Sequence, residues 1–228
     1  MKFAVLQFPG SNCDQDCLRA VRDVMGQPAR MVWHKEETLE PDETIIVPGG
    51  FSYGDYLRCG AIARFSPIMH AVKKAAANGQ TIIGICNGFQ ILCEAGLLPG
   101  ALVRNRDMHF ICETVTLRVD NSRTKITAHM HDGELLQIPI AHGEGNYTVD
   151  QDTLKEMESY GQVIFRYVDE NGEAIEAANP NGSVSNIAGV CNREGNVFGM
   201  MPHPERAAEI LLGSDNGKKL FDSLLSNH

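Results

Sequence analysis

Short apolar runs alternate along the first part of the chain with longer segments in which apolar residues recur at helical spacing. Residues 2–8, 29–33 and 44–47 form such runs, and a continuous apolar run of about four to eight residues is typical of a strand that is covered on both faces. Residues 14–25 and 68–77 carry apolar side chains three or four positions apart, which predicts amphipathic helices. Strands that alternate with helices predict an α/β fold with a doubly wound, mostly parallel sheet and helices on both faces.

The middle of the chain interrupts this alternation. Residues 110–119 and 134–140 are strand-like and no long helix separates them, so we expect a small antiparallel excursion from the main sheet. We find no internal repeat or linker, and we expect a single domain over residues 1–228. Downstream, the pattern predicts a helix, a strand, two paired strands and a closing helix, at residues 153–159, 163–168, 185–191, 196–201 and 217–226.

Composition and charge narrow the class of protein. The 228 residues are 43% hydrophobic and 21% charged, which is ordinary for a globular protein. The net charge of −9 argues against a nucleic acid or an anionic membrane as partner. No apolar run approaches the ~18 residues of a membrane span, and we expect no signal peptide. Seven cysteines without a C-x-x-C pair indicate reduced thiols in the cytoplasm.

A cysteine between two glycines lies at the centre of the chain. The apolar run at residues 81–85 ends in Gly84-x-Cys86-x-Gly88, and a helical pattern follows. A strand, a nucleophilic side chain between glycines and a helix are the pattern of a nucleophile elbow, whose turn leaves no room for a Cβ two residues before or after the nucleophile. The helix N-terminus would favour the thiolate. The alternative is a packing cysteine at a glycine-rich turn.

A histidine and a carboxylate follow the last predicted strand. Because Pro204 biases His203 towards extended geometry, we expect the side chains of His203 and Glu205 to project to the same side. Glu205 would then hold one imidazole nitrogen while the other faces a thiol, which is the arrangement of a Cys–His–acid triad. The alternative is a surface loop with a solvated ion pair.

Two glycines follow the third predicted strand, in the segment VPGGF at residues 47–51. The amide of Gly50 or Phe51, together with that of Asn87, would form an oxyanion hole. The alternative is a tight turn that requires a positive φ. Because ligands bind at the carboxyl ends of parallel strands, we expect these glycines, Cys86 and His203 to lie on one rim of the sheet.

Together these segments resemble the class I (triad) glutamine amidotransferases. The similarity covers nearly the whole chain and is most specific at residues 48–58, 141–147, 179–183 and 199–206. It implies a flavodoxin-like α/β fold and a cytoplasmic enzyme that hydrolyses L-glutamine to glutamate and ammonia through a γ-glutamyl thioester.

The longer segments are most similar to family members of purine biosynthesis. In these, the resemblance implies, ammonia passes to a large ATP-dependent synthetase subunit that converts formylglycinamide ribonucleotide to formylglycinamidine ribonucleotide, and a small third subunit is usually present. No cofactor is expected on this chain, because ATP and Mg²⁺ are expected on the synthetase subunit.

The family's functional residues carry over to matching positions of this sequence. The resemblance implies that Cys86 is the nucleophile, that His203 is the base and then the acid, and that Glu205 orients His203. Gly50 and Asn87 match the family's oxyanion positions, and Gln90 matches a position that contacts the glutamine. His142, in a segment that we expect near the glutamine or the partner surface, is a further candidate for substrate binding.

Other functions remain open. The chain would also suit a glutaminase that serves another synthetase, a cysteine hydrolase on the same type of sheet, or a non-catalytic binding module. A metal site is a further alternative, since zinc takes His and carboxylate ligands, and several occur together at His129, His131, Glu134, His142 and Glu144. No fixed-spacing metal motif is present, and we expect no metal there. The other cysteines, among them Cys13, Cys17 and Cys93, are expected to pack in the interior.

Overall fold

The computed structural model describes residues 1–225. In this part of the chain there are eleven strands, β1 (Lys2–Gln7), β2 (Ala29–Trp33), β3 (Glu43–Val47), β4 (Ile82–Ile85), β5 (Ala101–Val103), β6 (Ile111–Val119), β7 (Leu135–His142), β8 (Asn146–Thr148), β9 (Val163–Val168), β10 (Ile187–Cys191) and β11 (Val197–Met200). The α-helices are α1 (Asp14–Arg19), α2 (Ile68–Ala77), α3 (Asn87–Glu94), α4 (Gln151–Ser159) and α5 (Lys218–Leu225).

The parallel half of the main sheet confirms the predicted fold class. Its strands follow the order β2-β1-β3-β4-β11, and every neighbouring pair is parallel. This is the flavodoxin-like order, in which helical crossovers return the chain to the sheet. β4 lies between β3 and β11, and Gly84 is in register with Val47 on one side and Gly199 on the other. The segments that follow these three strands therefore meet at one rim.

The antiparallel part is larger than expected. β10, β9, β6 and β7 continue the same sheet beyond β11, so that the whole sheet has nine strands. β10 and β11 pair through a short turn, as their sequence predicted. A separate two-stranded sheet of β5 and β8 was not predicted, because each of its strands has only three residues, too few for a periodic pattern.

The core lies between the sheet and its helices. All residues of β4 are buried, and α2 buries the apolar stripe formed by Ile68, Met69, Val72 and Ala75. Full burial of one such large side chain contributes about 1.5–3 kcal/mol. The predicted end of the closing helix, at residue 226, lies outside the described residues. Among the helices of residues 1–225, none has the length and apolar character needed to cross a membrane.

Candidate active site

Cys86 lies at the junction of β4 and α3 in a strained backbone conformation with a positive φ of 51° and ψ of −108°. Such geometry costs a non-glycine residue about 1–3 kcal/mol. A Cβ on Gly84 would lie 2.7 Å from the carbonyl oxygen of Gly88, and a Cβ on Gly88 would lie 1.8 Å from that of Val47. The predicted elbow is confirmed, including the lack of room on either side of Cys86.

His203 and Glu205 follow β11 and are both buried. The imidazole Nδ1 donates to Oε1 of Glu205 at 2.6 Å, as the sequence predicted. The predicted extended route was wrong, because Pro204 begins the 3₁₀ turn Pro204–Ala207, where the fixed φ of proline suits the first helical position. The amide of His203 donates to the carbonyl of Pro139 in β7 at 2.8 Å. A turn, not a strand, brings the carboxylate to the imidazole.

The surroundings of His203 favour its protonated form. Burial lowers the pKa of the imidazole, but the electrostatic effect of Glu205, followed by that of Cys86, outweighs burial, and the pKa lies well above its ordinary value. Nδ1 is held by Glu205. The buried Nε2 has no hydrogen-bond partner among residues 1–225. One nitrogen is therefore oriented and the other remains available for chemistry.

Cys86 and His203 face each other across Gly49. A Cβ on Gly49 would lie 2.9 Å from Cε1 of His203, 3.0 Å from Sγ of Cys13 and 3.4 Å from Cβ of Cys86, so only glycine leaves this space open. The same side chains border a cavity of about 100 Å³. It is lined by Asn12, Cys13, Gly50, Phe51, Cys86, Phe110, Ala141, His203 and Arg206.

Backbone amides are placed beside this cavity. Asn87 is the first residue of α3, so its amide belongs to the unpaired donors of the helix N-terminus. Gly50 has φ of +146°, and a Cβ there would lie 2.7 Å from Cα of Ser11. The amide of Phe51 donates to the carbonyl of Gly10 at 2.9 Å. The amide of Phe51 is therefore already paired, and of the two amides proposed for the oxyanion hole in this loop, that of Gly50 is the better candidate.

Gln90 connects α3 to two loops. Its Oε1 accepts from Nδ2 of Asn87 at 2.8 Å, and its Nε2 donates to the carbonyl of Glu144 at 2.6 Å. Oδ1 of Asn87 accepts in turn from the amide of Ser52 at 3.1 Å. Both ends of the Gln90 amide are thus engaged within the chain, and each keeps one further donor or acceptor position, since the amide has two N–H groups and two oxygen lone pairs.

His142 lies in a buried amide network behind the cavity and is not among the residues that line it. Its Nδ1 is 3.1 Å from Oδ1 of Asn105, and its Nε2 is 3.4 Å from Nδ2 of Asn181. Both asparagines also bind Gly145. Its backbone amide donates to Oδ1 of Asn105, and its carbonyl accepts from Nδ2 of Asn181. The network fixes the loop that carries Glu144. Sequence reasoning missed the two asparagines, although Asn181 lies in the segment at residues 179–183.

Burial, followed by the charge of His203, lowers the pKa of His142 from 6.5 to about 4. Between these values the unfolded chain binds a proton that the folded chain does not, so stability is complete above about pH 6.5 and falls as the pH drops towards 4. We expect this residue to cost roughly 3 kcal/mol of unfolding free energy over that range. Denaturant unfolding of wild type and His142→Gln at pH 7 and 4.5 measures the effect. Equal pH dependence in the two proteins would contradict it.

Cys13 and Arg206 also belong to the site, although the sequence indicated a packing role for Cys13. Nη2 of Arg206 donates to Sγ of Cys13 at 3.2 Å, and Nε of Arg206 donates to Asp16 at 3.1 Å. Burial raises the pKa of the Cys13 thiol. Cys13 follows β1, a neighbour of β3 in the sheet, so the strand-end rule that placed the other segments would have placed this one.

The alternative metal cluster between residues 129 and 144 is not assembled. His142 is buried in the amide network, whereas His131 is exposed and lies 3.7 Å from Glu134. Among residues 1–225, the group of three potential ligands that does converge is Cys13, His203 and Glu205.

Comparison with known proteins places this site in a family. Residues 1–219 match the family model of the CobB/CobQ-like glutamine amidotransferase domain. The chain is 56% identical over 227 residues to the phosphoribosylformylglycinamidine synthase subunit PurQ of Acaryochloris marina, and the match covers 100% of this chain and 97% of that relative. It is 57% identical over 225 residues to PurQ of Trichormus variabilis, with coverages of 99% and 97%.

Solved structures agree with the sequence comparison. A chain of the PurLQS structure from Thermotoga maritima is 46% identical and superposes with a TM-score of 0.87, covering 99% of this chain and 97% of that one. Fold, site geometry and sequence similarity lead to the same conclusion. The chain belongs to the CobB/CobQ-like glutamine amidotransferase family.

Proposed function

We propose that this chain hydrolyses L-glutamine to glutamate and ammonia, with Cys86 as nucleophile, His203 as general base and acid, and Glu205 as the group that orients His203. The observation that carries the proposal is the 2.6 Å hydrogen bond from Nδ1 of His203 to Glu205, which leaves the buried Nε2, unpartnered within residues 1–225, for the cavity that Cys86 lines. A base held in one tautomer beside a nucleophile is the requirement of triad catalysis.

The reaction follows from this arrangement. The Cys86 sulfur attacks the side-chain amide carbon of glutamine, and the amides of Gly50 and Asn87 stabilise the oxyanion. Protonated His203 gives its Nε2 proton to the departing ammonia, and a γ-glutamyl thioester remains on the sulfur. His203 then takes a proton from water as the water attacks the thioester, and glutamate leaves with the sulfur restored. Gln90 contacts the bound glutamine through the donor or acceptor position that its bonds within the chain leave free.

The ammonia is proposed to serve a partner. The relatives are named as subunits of phosphoribosylformylglycinamidine synthase. By this similarity the chain delivers ammonia, in the cytoplasm, to a large synthetase subunit that converts formylglycinamide ribonucleotide to formylglycinamidine ribonucleotide. A small third subunit completes the complex, and ATP with Mg²⁺ binds to the synthetase. The chain itself acts as one glutamine amidotransferase domain without a cofactor.

The size of the cavity suggests that the partner controls the reaction. Sites for small molecules usually enclose about 300–1,000 Å³, whereas this cavity has about 100 Å³. Phe51 and Phe110 both line the cavity, and their exposed rings stack with the ring centroids 6.5 Å apart. Loop movement must therefore open the site, and such movement is a common means of gating.

Glutamate and ammonia production by the purified chain, alone and with the synthetase and the small subunit, tests the function. We expect slow hydrolysis by the chain alone and faster hydrolysis on addition of the partners with ATP and formylglycinamide ribonucleotide. Hydrolysis of peptides or esters in place of glutamine would show a cysteine hydrolase instead. Full activity of the lone chain would contradict control by the partner.

Substitution of Glu205 tests the orienting role. We expect Glu205→Gln to lower kcat for glutamine hydrolysis by about 10²–10⁴-fold, because the amide cannot stabilise the protonated imidazole or select its tautomer. Steady-state kinetics in the assembled complex measures the effect. A loss larger than that caused by removing the Cys86 sulfur would be incompatible with an orienting role.

A further inference from the structure

Two thiols lie beside the imidazole of His203, and the reaction described above uses only one. Sγ of Cys13, a ring nitrogen of His203 and a carboxylate oxygen of Glu205 lie within 4.8 Å of one another. Cys86 lines the same cavity. The sulfur of Cys13 and the Cβ of Cys86 both lie within 3.4 Å of the position that a Cβ on Gly49 would take. Both cysteines therefore border the same small space beside His203.

Nε2 of His203 has the surroundings of a metal ligand. The residue is 1% exposed, and Nε2 has no partner within residues 1–225. Nδ1 donates to the Glu205 carboxylate. In proteins, a histidine that binds a metal usually donates its other N–H to a carboxylate or carbonyl in this way. Thiolate sulfur and imidazole nitrogen are also the ligands that Zn²⁺ prefers.

The charges around this space admit a divalent cation. Arg206 lines the cavity and donates to Sγ of Cys13 at 3.2 Å, a bond that a thiolate can keep, and its charge is offset by Asp16 at 3.1 Å. Glu205 contributes a further carboxylate at the back of the imidazole. Two thiolates with one carboxylate would thus face the cation, since binding displaces the thiol protons into solvent.

We propose that Cys13, Cys86 and His203 form a binding site for Zn²⁺ or a cation of similar softness, and that binding reversibly blocks the active site. The metal takes the Cys86 sulfur and Nε2 of His203, which are the two groups that glutamine hydrolysis needs. No electron transfer is involved, and the protons carried by the two sulfurs and by Nε2 of His203 pass to the buffer. The block of activity rests on the proposed function, whereas the metal site does not.

Cobalt titration of the purified full-length chain tests binding without reference to activity. We expect Co²⁺ to produce the near-ultraviolet absorption of thiolate coordination with one ion per chain, and Zn²⁺ to abolish it by displacement. Cys13→Ser and Cys13→Ala should weaken the apparent affinity by at least about 30-fold, since loss of a neighbouring group that merely supports a ligand already costs about 10–100-fold. Cys112→Ser, which removes an exposed thiol, is the matched control and should bind like wild type.

Inhibition by Zn²⁺ gives a second measurement. Each protein's glutaminase rate is compared with its own rate without metal, and EDTA should restore the rate in wild type and Cys112→Ser. The Zn²⁺ concentration for half-inhibition should rise at least about 30-fold in Cys13→Ser. Equal Co²⁺ affinity in wild type and Cys13→Ser would overturn the proposal, as would loss of binding in Cys112→Ser. If glutaminase activity is absent throughout, the proposed function fails, and the cobalt spectra still decide the metal site.

Wild-type protein alone provides a measurement that does not depend on a variant folding. Zn²⁺ should slow the alkylation of Cys86 by iodoacetamide and leave that of exposed Cys112 unchanged. Equal alkylation rates of Cys86 with and without Zn²⁺ would overturn the proposal.

Discussion

Cys86→Ala is expected to lower the rate of glutamine hydrolysis by at least about 10⁴-fold, the largest effect of any single change in this chain. The sulfur forms the bond to substrate, so its removal leaves only the oxyanion amides and the binding contacts, whereas loss of an orienting group leaves the nucleophile in place. Because the Cβ is kept, the strained backbone of the elbow carries no new steric conflict. Glutamate formation by the assembled complex measures the effect.

Cys93→Ala is the matched control for this substitution. Cys93 lies on the same helix α3, is partly buried, and donates to the carbonyl of Pro99 at 3.7 Å, away from the cavity. Its activity should stay close to that of wild type. Wild-type hydrolysis by Cys86→Ala, or an equal loss in Cys93→Ala, would remove Cys86 from the reaction.

Gly88→Ala is expected to lower the unfolding free energy by at least about 3 kcal/mol, at the upper end of what overpacking costs. The new Cβ would lie 1.8 Å from the carbonyl oxygen of Val47, and backbone atoms cannot move aside as the end of a flexible side chain can. To relieve the contact, α3 must separate from β3. Denaturant unfolding measures the change in stability.

Gly143→Ala provides a matched control near the same site. Its φ is not in the left-handed region, and the nearest atom to its Cβ would be Cδ2 of Phe110 at 3.8 Å, an ordinary van der Waals contact. Its stability should lie within about 0.5 kcal/mol of wild type, as for a substitution that meets no special feature. A cost below about 1 kcal/mol for Gly88→Ala would show that the elbow is not as tight as its geometry indicates.

Local signals in the sequence were sufficient for much of the fold and for the triad. A buried strand and an amphipathic helix each carry their own periodicity, so the parallel half of the sheet could be predicted strand by strand. The elbow could be predicted because its steric requirement is met by glycines two residues from Cys86. The pairing of His203 with Glu205 required only a short distance along the chain, although the turn that produces it differed from the expected extended segment.

Long-range packing decided the rest. The strand-end rule places Cys13 on the same rim as the other segments, because β1 lies next to β3. Its position beside His203 also depends on the packing around Gly49, and no feature of the residues around Cys13 carries that information. The same holds for the amide network of Asn105, His142 and Asn181, whose members are far apart in sequence. Side-chain chemistry alone did not indicate that His142 lies in this network.

The sequence by itself determined which residues can do the chemistry and which strands carry them, because steric and periodic constraints act over a few neighbouring residues. The tertiary structure alone decided which side chains lie beside His203, how the antiparallel strands extend the sheet, and which groups Gln90 binds by hydrogen bonds. These features depend on contacts between segments that come together only when the whole sheet has formed.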